Sequence, residues 1–375
     1  MATIKDIAEK AGVSIGTIDR IIHNRGRYSA RTAARVQSII RETGYRPNLM
    51  ARNLSKSGTC RIGVLLPLPE QDSGYWSLPL GGIQRAGGEL EPFGLSLEIR
   101  HYNRYRFTGN SSFAAASSEL LSKELDGLLI TPLLESSTLE FLDRVKARIP
   151  DLPVILFDTD LPKAPRLSYI GQDSYQSGRL AARLMDMLVK GKSSSPVSRL
   201  PGHPPGVPRI LIITPDSDNE HLKKRIRGFT DHCTGELEIL KVTVESDHNL
   251  GNFHKLLDSE LQKNSQKSPP GGIFVVDAAT HFVADFLASS DFLLADRPSI
   301  VGYDLVPENC KWLKDGVIDF LLTQRPAEQG YNGVNRLFRK IFLDENAPEI
   351  EYTPIDIVTK ENLDYLIDRN PREVI

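Results

Sequence analysis

At 375 residues, with 25% charged and 40% apolar content, the chain is too long for one small domain and has the makeup of a globular protein. Its longest apolar runs, such as residues 62–66 and 210–213, are far too short to span a bilayer, and no basic-then-apolar signal sequence opens the chain, so neither a membrane protein nor an exported one is expected. The net charge of −2 is unevenly spread: residues 1–60 hold eleven Lys/Arg against four Asp/Glu, net +7, which leaves −9 on the remainder. A basic head on an acidic body is the footprint of a nucleic-acid module joined to something else.

Ile4, Ile7, Ala8 and Ala11 fall at helical spacing and predict a first helix, with Thr3 as its N-cap. Gly12 offers a left-handed turn, and Ser14 can cap a second helix on which Ile18, Ile21 and Ile22 share one face. Ile15, Gly16, Thr17, Asp19, Arg20 and His23 lie on or near the other face. Ser29 caps a third helix with Ala33, Val36, Ile39 and Ile40 at its apolar positions. Two short helices joined by a glycine turn and braced by a third describe a helix-turn-helix unit. Pro47 stops the third helix, and Asn48 can cap a segment over 49–57 that is too short to be stable alone. Three scattered cysteines, Cys60, Cys233 and Cys310, have no metal-ligand spacing and suggest a reducing compartment.

From residue 61 onward short apolar runs alternate with amphipathic stretches. Strands are predicted at 62–66, 96–100, 127–131, 154–157, 210–214, 238–244, 272–276 and 300–303, with helices at 112–125, 174–190, 219–233 and 252–264 between them. Buried runs separated by helices imply parallel sheets covered on both faces, and eight strands split into two halves near residues 169–173. Such doubly wound lobes bind ligands beyond the carboxyl ends of their strands. That rule selects Tyr75 and Trp76, Asp158 and Asp160, Asp277, and Asp304, with Arg225 on the helix after the fifth strand. Aromatic rings, carboxylates and one guanidinium suit a polyhydroxyl ligand, whose C–H faces stack on rings and whose hydroxyls bond to charged groups. His101, Tyr102 and Asn103 read as a surface loop. The Ser/Pro/Gly-rich stretch 191–208 reads as an exposed loop, and Gly81-Gly82 with Gly87-Gly88 as a closely packed helix.

Thr3-Ile4-Lys5-Asp6-Ile7-Ala8, Ala11-Gly12-Val13-Ser14, Thr17, Arg20 and Gly44-Tyr45-Arg46-Pro47-Asn48 with Ala51-Arg52-Asn53-Leu54 resemble the lactose/galactose-repressor (LacI/GalR) family. Further on, Ile170-Gly171-Gln172-Asp173, Arg225 with Gly228-Phe229, Gly302-Tyr303-Asp304 and Gln324 resemble the sugar-binding body that this family shares with periplasmic binding proteins. The resemblance implies an α/β architecture: an all-α helix-turn-helix domain (1–47), a hinge helix and linker (48–60), and a two-lobed, doubly wound body. Its lobes would be 61–172 plus 325–347 and 173–324 plus 348–375. It implies that the second helix reads DNA through Ile15, Gly16 and Arg20, while Leu54 wedges into a minor-groove step. The DNA-contacting set becomes Thr3, Ser14, Ile15, Gly16, Thr17, Arg20, Arg27, Ser29, Asn48, Ala51 and Leu54. The effector set becomes Tyr75, Trp76, Asp158, Asp160, Asp173, Arg225, Asp277, Asp304 and Gln324. Asp277 departs from the asparagine common in sugar binders.

The function expected is that of a cytoplasmic, homodimeric transcriptional repressor whose grip on an operator depends on a sugar or sugar derivative bound between the lobes. No cofactor, metal or membrane partner is expected. A solute-binding protein would share the body but not the basic head. An enzyme would need a nucleophile elbow, Cys–His pair or paired metal-binding histidines, and none of these motifs occurs in the sequence. Leu54→Ala should weaken specific operator binding far more than non-specific binding; equal loss in a salt-matched gel-shift titration would count against the wedge.

Overall fold

The computed structural model describes residues 4–22, 26, 28–43, 59–106, 108–109, 112–193, 209–215, 219–241, 250–262, 270–289 and 297–367. Thr3, Arg27, Asn48, Ala51 and Leu54 lie outside these, as do the rest of the expected hinge segment and residues 194–208 of the Ser/Pro/Gly-rich stretch.

The head is three helices: α1 (Ile4–Ala11), α2 (Ile15–Ile22) and α3 (Ala30–Thr43). Gly12 takes φ 62° and Val13 N–H bonds back to Ala8 O at 3.0 Å, the left-handed helix stop that glycine allows. Ile7, Ala8, Ala11, Ile18, Ile21 and Val36 form one small core, so the apolar faces read from spacing do converge.

The body runs β1 (Cys60–Pro67), α4 (Ser77–Leu90), β2 (Leu95–Tyr102), α5 (Phe113–Leu121), β3 (Gly127–Ile130), α6 (Glu135–Arg148), β4 (Val154–Phe157), β5 (Ser168–Gly171), α7 (Ser174–Ser193), β6 (Arg209–Thr214), α8 (Glu220–Thr230), β7 (Glu236–Lys241), α9 (Leu250–Gln262), β8 (Gly272–Val275), α10 (Thr280–Ser289), β9 (Ser299–Tyr303), α11 (Pro307–Lys314), β10 (Phe320–Thr323), α12 (Pro326–Leu343), β11 (Ile350–Tyr352), β12 (Asp356–Val358) and α13 (Leu363–Ile367). Two six-stranded sheets result, ordered β11-β5-β4-β3-β1-β2 and β12-β10-β9-β8-β6-β7. All pairings are parallel except β10 with β12. The central strands are buried residue after residue, because helices cover both faces and leave no solvent side to alternate with.

Three expectations need correction. The described body holds twelve strands, not eight. Of the four missed, β5, β11 and β12 mix polar with apolar residues over three or four positions, and only β10 repeats the apolar run that marks the equally short β3, β4 and β8. The second lobe does not resume at 348: β11 pairs with β5 in the first sheet, and the chain crosses back only between Tyr352 and Asp356. Residues 101–103 do not form a surface loop: Tyr102 is buried, donating to Thr131 O at 3.1 Å, and His101 Nδ1 lies 3.0 Å from Pro67 O.

The second crossing is tied both to the third and to the end of β4. Arg325, in the left-handed region at φ 52°, holds Asp356 through Nε at 2.7 Å and Nη2 at 3.0 Å. Gln329 is fully buried; it donates to Gln324 O at 2.8 Å and accepts the Asp158 N–H at 3.0 Å.

Close helix packing sets the functional side chains. A Cβ on Gly178 of α7 would overlap the Arg225 carbonyl of α8, and one on Gly228 would overlap the Tyr175 carbonyl. The first lobe repeats the device: a Cβ on Gly82 of α4 would overlap the Ala327 carbonyl of α12. Because backbone on both sides blocks the extra methyl, Gly228→Ala should cost about 2–3 kcal/mol of stability. It should also shift α8 and Arg225 with it. A melting temperature unchanged from wild type in calorimetry would contradict this.

Candidate ligand cleft and nucleic-acid interface

In α2, Ser14 Oγ accepts the Thr17 N–H at 3.2 Å and caps the helix. Burial of Ile18 and Ile21 turns Ile15, Gly16 and Arg20 outward, with Ile15 43% exposed. Arg20 lies along the helix, Nε donating to Gly16 O at 3.1 Å and Nη2 to Thr17 Oγ1 at 3.3 Å. Ser29 Oγ caps α3 through Thr32 N–H at 3.1 Å. The head thus presents a rigid helix face with one oriented guanidinium.

The carboxyl ends of strands from both sheets line a cleft of about 1550 Å³. Asp158 follows β4 and Asp304 follows β9, and both sit in the left-handed region at φ 66° and 68°. Aspartate tolerates that region because its short side chain bonds locally. Each backbone N–H is tied to the neighbouring strand, Asp158 to Ile170 O at 3.0 Å and Asp304 to Leu322 O at 2.8 Å. The two lobes therefore present matched carboxylates to one cleft.

Their surroundings differ. Asp158 accepts from the Tyr75 hydroxyl at 2.5 Å, from Thr159 at 3.1 Å and from Gln324 Nε2 at 3.4 Å, and Gln324 also donates to Tyr75 at 2.8 Å. Asp304 is buried, and its Oδ1 has no hydrogen-bond partner. Burial first, then the Asp158 and Asp277 charges, push Asp304 up to about 7, against the pull of Arg225. Burial likewise raises Asp277 to about 6, although the Ala279 N–H bonds it at 3.1 Å. Asp158 is raised by burial too, partly offset by Tyr75 and Arg225.

Arg225 is buried and held by its partners: Nη1 donates to Val276 O at 2.8 Å, Nη2 to Gln172 Oε1 at 3.4 Å, and its guanidinium lies 3.9 Å from the Tyr303 ring centre. Its Nε and the Gln172 Nε2 have no hydrogen-bond partner. Trp76 is not an open stacking face. It is 2% exposed, its indole N–H bonds Asp72 at 2.6 Å, and it packs with Tyr75 and Leu133 against Ala278 and Val306 of the other lobe. Asp160 lines the cleft but is paired with Arg166 at 2.8 and 3.0 Å. Asp173 does not line it: its carboxylate caps α7 through the Gln176 N–H at 3.1 Å, the position its place just before Ser174 dictates.

Sequence reasoning missed two groups. His221 of α8 meets Thr159 across the cleft, Nδ1 to Oγ1 at 2.9 Å. The Thr159 hydroxyl donates to Asp158, so it accepts from His221 Nδ1–H; burial and then Arg225 hold this imidazole neutral, well below its usual range. Asp72 gathers Trp76, the Arg104 guanidinium at 2.7 Å and the Tyr105 hydroxyl at 2.6 Å, stapling the loop after β1 to the loop after β2. The strand-end rule points to both loops, but nothing in their local sequence says that they join.

Comparisons with known proteins agree with this layout. A model described as "Bacterial regulatory proteins, lacI family" matches residues 3–48, and one described as "Periplasmic binding protein domain" matches residues 62–341. The ribose operon repressor of Escherichia coli (strain K12) is 30% identical over 309 residues, covering 81% of this chain and 83% of its own. The sucrose operon repressor of Streptococcus mutans serotype c is 25% identical over 316 residues, covering 81% and 82%. Among solved structures, one from Bacteroides fragilis assigned to the LacI transcriptional regulators superposes with a TM-score of 0.68 at 25% identity, covering 82% of this chain and 99% of that one. GanP, a glucose-galactose binding protein from Geobacillus stearothermophilus, shares the fold with a TM-score of 0.64 at 23% identity, covering 81% and 99%.

The carboxylates make a stability prediction. Asp304 moves from 3.8 to about 7 on folding, so its contribution is fully present below pH 3.8 and is lost as pH rises through about 7. Asp304→Asn keeps a side chain that tolerates the left-handed backbone and removes that loss. Its stability should exceed wild type by a margin that widens from pH 4 to pH 8, toward about 4 kcal/mol at most, and its melting temperature should rise with it. A constant margin across that range would mean that the carboxyl group does not titrate within the folded cleft.

Proposed function

We propose that this chain, which belongs to the lacI family of bacterial regulatory proteins, couples operator binding by its helical head to occupancy of the interlobe cleft by a small polyhydroxyl effector. It is a DNA-binding transcriptional repressor with a sugar-binding domain, in keeping with its sucrose- and ribose-operon repressor relatives. Residues 1–47 are the DNA reader and 48–60 the hinge, with Ile15, Gly16 and Arg20 facing base edges and Leu54 as the minor-groove wedge. Two copies pair through their bodies and set two readers on a pseudo-palindromic site, since one such unit alone covers too little DNA for high specificity. The protein acts in the cytoplasm, and it binds its effector without turning it over.

In the cleft, Asp158, Arg225, Asp277, Asp304 and Gln324 contact the effector. Tyr75 and Trp76 form the apolar wall, and Asp160 lines it while paired with Arg166. One observation carries the effector reading: the buried Asp304 Oδ1 and Arg225 Nε, set in a cleft that both lobes line, have bonding capacity not met by the protein. Such groups are costly to bury unless a ligand completes them. An effector that bridges the lobes favours one of their arrangements, and it shifts operator affinity only by its differential affinity for the two. A solute-binding role without DNA would leave the capped reader helix and the basic head without a use.

Two substitutions separate the halves. Arg20→Ala should reduce discrimination between operator and random duplex by roughly the 1–3 kcal/mol of a bidentate base contact, with effector binding intact. Arg225→Gln should keep operator binding and lose the effector response. Retained sequence preference in the first variant, or a normal response in the second, measured by fluorescence anisotropy on a labelled duplex, would overturn the corresponding assignment.

A further inference from the structure

The charge lining the cleft narrows the effector beyond the polyhydroxyl reading, on which this inference rests. Two lining acids are already neutralised by arginines, Asp72 by Arg104 at 2.7 Å and Asp160 by Arg166 at 2.8 Å. That leaves Asp158, Asp277 and Asp304 with Arg225 as the guanidinium not already held by a carboxylate among the described lining residues. Arg225 itself has both terminal nitrogens turned to protein acceptors, Val276 O and Gln172 Oε1, so it offers an anion only Nε. The mouth adds Glu70, Glu135, Glu220, Asp285 and Glu308 against Lys311. Glu135 and Glu220 have lysine partners at 3.7 and 3.4 Å, but at exposed sites where such pairs screen little of the field. No helix of the second lobe directs a cluster of lysines or arginines at the cleft among the described lining residues.

Burial already works against ionisation of all three acids, holding Asp277 up at about 6 and Asp304 at about 7, so a phosphate or carboxylate brought among these side chains would add like charge where the protein has one cation to answer it. A hydroxyl meets the opposite: the unpartnered, buried Asp304 Oδ1 and the Asp277 carboxylate both accept protons that adjacent hydroxyls donate. We propose that the cleft is a charge filter that admits uncharged polyols and rejects their phosphate esters and acids, so that the regulator senses the free sugar ahead of any phosphoryl transfer to it.

The test compares matched pairs on the full-length chain near neutral pH: D-ribose, D-galactose, D-glucose and myo-inositol, each beside its monophosphate, with D-gluconate as the acid. Thermal shift and titration calorimetry supply the readout, because a ligand that binds only the folded state raises its melting point. At least one neutral compound should stabilise the protein, and its phosphate ester should bind ~100-fold more weakly or not at all. Asp304→Asn should weaken the neutral compound and narrow that gap. An ester or acid that binds as well as its neutral parent, with its shift lost in Asp304→Asn, overturns the charge filter and leaves the cleft as the effector site. A panel silent in both classes, or a neutral ligand indifferent to Asp304→Asn, overturns the reading of the cleft and this inference with it.

Discussion

The body is organised around the cost of burying carboxylates at the cleft between its lobes. An aspartate withdrawn from water needs a counter-charge, a set of donors, or a proton. Asp158 obtains donors from Tyr75, Thr159 and Gln324, so its cost is met largely within the protein. Asp304 is the counterpart in the second lobe, with the same left-handed backbone and the same position after a strand, yet one of its oxygens has no hydrogen-bond partner. That asymmetry between otherwise matched lobes marks where a ligand's hydroxyls have most to gain.

Backbone packing holds this arrangement in place. Glycines let α4 and α12 cross closely in the first lobe, and in the second they seat the helix that carries Arg225 and His221 directly on α7. Gln329 and Arg325 then tie the chain crossings to Asp158 and to Asp356. The side chains at the cleft are thus positioned by buried backbone contacts on rigid elements rather than by loops alone, which is what a site needs to hold its geometry.

Across the cleft the lobes touch through few groups: Tyr75 with Gln324, Thr159 with His221, and the apolar cluster in which Trp76 meets Ala278 and Val306. Contacts of this kind can be remade at small cost, and small rearrangements at such an interface are what large domain motions amplify. In the regulatory reading, ligand and lobe contacts compete for the same groups, above all Tyr75 and Asp158. Coupling to the DNA reader then needs no long pathway, only a hinge that follows the lobes.

The sequence alone determined the class of fold and the identity of the reader. Capping residues, the Gly12 stop and the isoleucine face of α2 are local features, and local physics places them. Parallel strands buried on both faces are nearly continuous apolar runs, so most strands with such runs were legible, whereas β5, β11 and β12 carry polar residues that break the run. The strand-end rule found Asp158, Arg225, Asp277 and Asp304, because position after a strand is itself a sequence property. It did not select Asp173, which the family resemblance added and whose carboxylate caps a helix, and it could not tell that the Trp76 ring is packed away. Only the tertiary structure decided those points, and only it joined His221 to Thr159 and Asp72 to Arg104. The physical reason is distance along the chain: hydrogen bonds and ion pairs between residues tens of positions apart leave no periodicity in either segment, and they form only once the chain has folded, within the first lobe for Asp72 and Arg104 and across the cleft for Thr159 and His221.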